Sequence, residues 1–127
     1  MTRQNVPSPS PFAPVTAFSA AVRVNNLVFV AGTVGRDANG KFEPEVYSQA
    51  KQALSNIEAA LEQAGASLGD VVRTRMFVTD ISRWEDASRA HREAFANVMP
   101  ASTLVEVSRL AAPEMLIEIE ADAVVEM

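Results

Sequence analysis

The spacing of apolar and polar residues changes period several times along the chain, and each change predicts an element. Residues Phe18 to Val24 alternate loosely, Asn25-Asn26 interrupts them, and LVFVAG at 27–32 follows as a short apolar run. Two β-rich runs around a two-residue turn predict a hairpin, since asparagine tolerates the left-handed backbone such turns need. GRDANG at 35–40 predicts a second loop through its Asn-Gly pair. Between 44 and 64 the period becomes helical. Val46, Ala50, Ala53, Leu54, Ile57, Leu61 and Ala64 fall on one stripe. Pro44 suits a first helical turn and Gly65 a left-handed C-terminal cap. VVRTRMFV at 71–78 returns to period two, with Val72, Thr74, Met76 and Val78 on one face and Arg73, Arg75 and Phe77 on the other. Ser82 and Glu85 have capping-box spacing, which predicts a second helix over about 83–98. Its stripe is Ala87, His91, Ala94, Phe95 and Val98. TLVEVSRL at 103–110 and MLIEIEADAVVE at 115–126 predict two last strands, antiparallel across Ala111-Ala112-Pro113-Glu114.

Residues 1–14 hold four of the seven prolines. Proline lacks a backbone donor and favours extended chain, so this stretch predicts an irregular arm without a helix. Residues 15–127 then read as one domain of order β-β-α-β-α-β-β. The pattern predicts an α+β fold, a sheet with two helices on one face. Two helices cannot cover both faces, so the other must meet water or another subunit.

Composition narrows the chemistry. The chain has 127 residues, no cysteine and one histidine. Disulfides, zinc–thiolate sites, iron–sulfur clusters and cysteine nucleophiles are excluded, and multi-histidine metal sites with them. No metal is expected. The net charge of −5 argues against nucleic acid as a partner. No apolar stretch reaches the ~18 residues of a membrane span. MTRQNVPSPSPFAP lacks an apolar signal core, which makes the cytoplasm the expected compartment.

The last strand carries the clearest candidate chemistry. Glu118, Glu120 and Asp122 alternate with Ile117, Ile119, Ala121 and Ala123, so the three carboxylates share a face. That face points away from the helices, as do Arg73 and Arg75 if their strand has the same phase. One reading is a cross-strand ion-pair network under a partner subunit. The other is that one acid is a general acid or positions water in a pocket. His91 falls on the apolar stripe of its helix, where a hydrogen-bonded structural role is the commoner one. Arg89 and Arg92 flank it as a solvated face or an anion clamp. Gly32 and Gly35 lack phosphate-loop spacing, which leaves a nucleotide site unsupported.

VFVAGTVG at 28–35, NIEAALEQAG at 56–65, VVRTRMFVTDI at 71–81, PASTLVEV at 100–107 and IEIEADAV at 117–124 occur in an order that resembles the RidA (YjgF, endoribonuclease L-PSP) family. The resemblance covers about residues 15–126. It implies a chorismate-mutase-like mixed sheet with two helices on one face, assembled as a homotrimer with sites in the clefts between subunits. It also implies a small-molecule substrate, no cofactor, and hydrolysis of enamines and imines such as 2-aminoacrylate and 2-iminopropanoate to keto acids and ammonia. The family's water-positioning glutamate falls on Glu118. Its substrate-binding positions fall on Phe18 (a tyrosine in the archetype), Ala31 (a serine), Gly32, Arg89 (an asparagine), Ser102 (the arginine that holds the substrate carboxylate) and Leu104 (a cysteine). A charged bidentate contact contributes roughly 1.5–3 kcal/mol. Serine at 102 therefore implies a loss of about tenfold to 150-fold in affinity for small imino acids. The resemblance thus points to a divergent deaminase with another substrate. A binding module without turnover is the alternative, and an endoribonuclease a more distant one.

Overall fold

A computed structural model describes residues 2–126. Met1 and Met127, the outer ends of the expected arm and domain, lie outside the described residues. In chain order the elements are β1 (Arg3–Val6), α1 (Ala13–Thr16), β2 (Ala21–Val24), β3 (Leu27–Val34), α2 (Val46–Gln63), β4 (Val71–Val78), α3 (Trp84–Phe95), β5 (Ala101–Glu106) and β6 (Ile117–Val124). Short 3-10 turns at Leu68–Asp70 and Ile81–Arg83 lead into β4 and α3. The strands form one mixed sheet in the order β1-β2-β3-β6-β4-β5.

Much of this follows the periodicities. β2 and β3 pair antiparallel around Asn25-Asn26, and Asn25 adopts φ 54°. Every residue of the expected α2 stripe is buried. Gly65 takes φ 79° just past the helix end, and the Arg23 guanidinium donates to Ala64 O at 2.8 Å. A cation at a helix C-terminus is favoured by the carbonyls exposed there. On β6, Ile117, Ile119, Ala121 and Ala123 are buried and the acids between them are partly exposed.

Five expectations are corrected. The arm is not irregular throughout. Arg3–Val6 pairs antiparallel with β2, and the single turn α1 begins at Ala13, with Pro14 in its first turn. Pro44 lies outside α2, whose N-terminal flank is Glu45. Val72 is 48% exposed because the β4–β6 register shifts between Val71 and Arg73, so Val71 is buried in its place. Ser82 and Glu85 form no capping box. Asp80 accepts from Ser82 N one turn earlier, and α3 covers only Trp84–Phe95. Finally, β5 and β6 do not form a hairpin. β5 runs parallel to β4, and β6 inserts antiparallel between β3 and β4. A parallel pair needs a crossover, which α3 supplies. β6 is buried at every second residue and takes the centre, while the largely exposed β5 takes the edge.

The core lies between the sheet and the two longer helices. One junction is unusually tight. A side chain at Gly35 would have its Cβ 2.8 Å from Gln49 Cα and closer still to Gln49 O. Gln49 is itself 1% exposed. Its Nε2 donates to Glu43 O at 2.7 Å and Glu114 O at 2.8 Å, and its Oε1 accepts from Leu116 N at 2.9 Å. Three backbone groups from two connections are thereby satisfied by one buried amide, as buried polar groups require. Gly35→Ala should push α2 off β3 and lower stability by about 1–3 kcal/mol or more, read as a melting point several degrees lower. Gly69→Ala is the control. Its Cβ would meet nothing nearer than Ser67 Oγ at 3.6 Å, and the melting point should stay within a degree or two of the parent.

Candidate active site

β2 is shorter than β3 and pairs only with Leu27–Val30. Beyond it the edge of β3 is left for the arm, and Ala31 N donates to Ala20 O at 2.9 Å. At the same place the β3–β6 register shifts. Val30 pairs with Ala121 but Thr33 pairs with Ile119, so Ala31 and Gly32 together oppose Glu120. Such a bulge re-aims side chains and is common beside functional sites. A cavity of about 410 Å³ opens here, walled by the arm from Pro7 to Phe18, by the end of β3, by α2 and by the start of β6.

Glu118 lines this cavity. Its carboxylate lies against Gly32, where an added Cβ would be 2.7 Å from Oε2 and 2.9 Å from Cδ. Only a glycine leaves room for that approach. Burial pushes the Glu118 carboxyl above its usual pKa, and the charge of Glu120 adds to the shift. Among the described residues no hydrogen bond or ion pair holds it. Its row-mates differ. Arg75 Nη1 lies 3.3 Å from Asp122 Oδ2 and 3.6 Å from Glu120 Oε1. The two sequence-based readings of the acidic row thus divide along the strand. Glu120 and Asp122 pair with arginine, and Glu118 stands free in a cavity. A desolvated carboxyl without a partner takes up a proton more readily than a free one and can pass it on.

Of the other expected site residues, Phe18 and Gly32 share the cavity with Glu118, while Ala31 contributes backbone to the bulge. Arg89, Ser102 and Leu104 lie elsewhere in the same chain. The Arg89 guanidinium stacks 3.8 Å from the centre of the Tyr47 ring. Ser102 is paired with Thr74 across β4–β5. The Thr74 hydroxyl donates to Ser102 Oγ at 2.8 Å, and His91 Nε2 lies 2.8 Å from Thr74 Oγ1. His91 also packs on Phe95, ring centres 4.7 Å apart. Leu104 is a partly buried neighbour of the core. Among the cavity residues that escaped the sequence reading are Arg36 and Asn56. Arg36 was read only as part of a turn. Continuing the alternation Gly32, Val34, Arg36 past the strand end would have placed it beside the pocket.

No group of three or more metal-binding side chains exists among the described residues, and no helix is long and apolar enough to cross a membrane. Burial holds the His91 pKa below its ordinary value. Its neutral form is favoured in the fold, so its contribution is fully present above the unfolded value of ~6.5. That contribution is lost as pH falls through the lower folded value. Between pH 7 and 5 the parent should therefore lose more stability than His91→Gln. Urea midpoints at the two pH values check this, and equal losses in the two proteins would refute it.

Residues 9–125 match the family model described as Endoribonuclease L-PSP. A RutC family protein of Pyrococcus abyssi is 38% identical over 112 residues, 87% of each chain. The 2-iminobutanoate/2-iminopropanoate deaminase of Escherichia coli is 32% identical over 116 residues, 88% of this chain and 90% of that one. Among solved structures, a member of the YjgF/YER057c/UK114 family from Mycobacterium tuberculosis is 48% identical, with a TM-score of 0.91 over 98% of this chain and 100% of that one.

Proposed function

This chain belongs to the endoribonuclease L-PSP family, and from that premise we propose that it is a cofactor-free hydrolase of imines or enamines, with Glu118 as its acid–base residue. The observation that carries the reading is the free, desolvated Glu118 carboxyl lying on Gly32 in the cavity. Water attacks the electrophilic carbon of a protonated imine. Glu118 takes a proton from that water as the C–O bond forms and returns it to the nitrogen; as the C–N bond breaks, Glu118 takes the remaining hydroxyl proton and passes it to the departing ammonia. One water and one iminium ion thus give a carbonyl compound and ammonium. Raising the pKa of a carboxyl moves it toward the pH at which these transfers are efficient. The relative named a deaminase supports this reaction class.

The substrate differs from that of the archetype. Ser102 stands where the family resemblance places the carboxylate-binding arginine, and a neutral hydroxyl cannot make two parallel charged hydrogen bonds. Turnover of 2-iminopropanoate should be slower than an archetypal member's by at least about tenfold. We also propose the homotrimer. It would bring the Ser102 and Arg89 side of one subunit to the Glu118 cavity of the next. Light scattering at micromolar concentration checks this, and a stable monomer would refute it. An RNA-cleaving reading has less support, since the chain is acidic and its one histidine is bound to Thr74 outside the cavity.

Glu118→Gln is the decisive variant. The raised pKa means that ionised Glu118 lowers the stability of the fold at neutral pH, a cost that vanishes as pH falls below its unfolded value of ~4.3. The amide variant should therefore melt no lower than the parent at pH 7, keep its assembly and lose turnover. The assay is release of keto acid from imines generated in place by an amino-acid oxidase. A lower melting point with the rate within a few-fold of the parent would make Glu118 a structural residue. Ligand binding without turnover by the parent protein would make the chain a binding module.

A further inference from the structure

The cavity holds a second charge that the acid–base reading does not use. Arg36 lines it together with Glu118, and the two are not paired with each other. Among the described residues no carboxylate reaches the Arg36 guanidinium. Asp37, its neighbour in sequence, directs its Oδ1 to the backbone N–H groups of Asn39 and Lys41, both at 2.9 Å. Yet Arg36 is firmly placed. Asn56 Nδ2 donates to Arg36 O at 2.9 Å and to Val34 O at 3.1 Å, fixing the backbone on α2. Arg36 pairs with Phe42 in an isolated antiparallel bridge, and its guanidinium lies 5.1 Å from the Phe42 ring centre. Stacking on an aromatic ring orients the planar fork and leaves its N–H edges free for an anion. A half-buried arginine that is held in position and lacks an anion is arranged to receive one.

We propose that Arg36 binds the carboxylate of the substrate, taking the role that Ser102 cannot fill, and that the substrate is an organic acid with an apolar body. This rests on the deaminase reading for the end of the substrate that meets Glu118, and on the cavity for the rest. Phe18, Val34, Ala60 and Met115 supply apolar wall in the same cavity as the two charges. At about 410 Å³ the space lies in the range of pockets that enclose drug-sized ligands. A three-carbon acid would leave most of it filled with water. An imino acid bearing an aryl or long alkyl group would place its anion on Arg36 and its C=N at Glu118.

The test uses stable keto acids, the products of such a reaction, on the assembled protein. Calorimetric titration compares pyruvate, 2-oxo-4-phenylbutanoate and the methyl ester of the latter. The phenyl acid should bind at least about tenfold tighter than pyruvate and than its own neutral ester. Arg36→Gln should weaken the acid at least about tenfold and leave the ester unchanged, with the melting point retained. Arg36→Lys should recover part of the loss, since it keeps the charge without the fork. In turnover, Arg36→Gln should raise KM for the matching imine more than it lowers kcat, the mark of a lost binding contact. The proposal is overturned if the parent binds acid and ester alike, if it binds neither acid, or if Arg36→Gln leaves acid affinity intact. Arg36-dependent binding of the acid without turnover by the parent would refute the deaminase reading and sustain the anion site. Turnover that depends on Glu118 but is indifferent to Arg36 would do the reverse.

Discussion

The contact between Gly35 and the backbone of Gln49 fixes the distance between α2 and the sheet, and the cavity depends on that distance. Gly35 comes three residues after Gly32, the floor beneath the Glu118 carboxylate. Gln49 binds Leu116 N, two residues before Glu118. One buried side chain thus controls the entry of β6 into the sheet, and one missing side chain controls the exit of β3. The two strand ends that meet in the cavity are referred to the same turn of the same helix. Asn56 lies seven residues further along α2 and extends the arrangement by holding Val34 and Arg36 through their carbonyls. The helix therefore acts as the ruler along which the acid and the arginine are spaced.

The electrostatics of the acidic row show how a strand can carry two kinds of carboxylate. Glu120 and Asp122 share Arg75 on a partly exposed face, where such pairs contribute little to stability. Glu118 lies half-buried in the cavity lined by the arm and α2, and among the described residues no cation reaches it. Position along the strand, rather than residue type, decides which acids meet Arg75 and which is raised in pKa by burial. The bulge at Ala31-Gly32 sets that boundary.

Much of the architecture was legible in the sequence because periodicity reports burial. The α2 stripe, the β2–β3 turn and the alternation along β6 all follow from it, whereas alternation left three acids on one face and only the family resemblance pointed to Glu118, the one that lines the cavity. Strand pairing was not legible. Ala111 to Glu114 looks like a hairpin turn, but nothing local reveals that β4 must lie between the strands it joins. The arm was misread because its prolines outweighed Arg3–Val6, a strand of which only Val6 is buried. Arg36 was missed because the Asn-Gly signal in its loop speaks for the backbone and says nothing about where the preceding side chain points. Ser82 and Glu85 had the right spacing for a cap, but Asp80, closer to the turn, took the backbone donor first.

The central place of β6 governs the order in which the molecule can be made. β3 and β4 are synthesised long before residues 117–124, and until those emerge the two halves of the sheet have no shared strand. During that interval β3 and β4 each present an open edge of unpaired amides and carbonyls, the kind of surface that recruits other chains. Joining them requires contacts between residues some ninety positions apart, such as Val28 with Ala123, and such distant closures slow folding. A nascent chain stalled before residue 117 would therefore be an unjoined, adhesive intermediate rather than a smaller version of the fold.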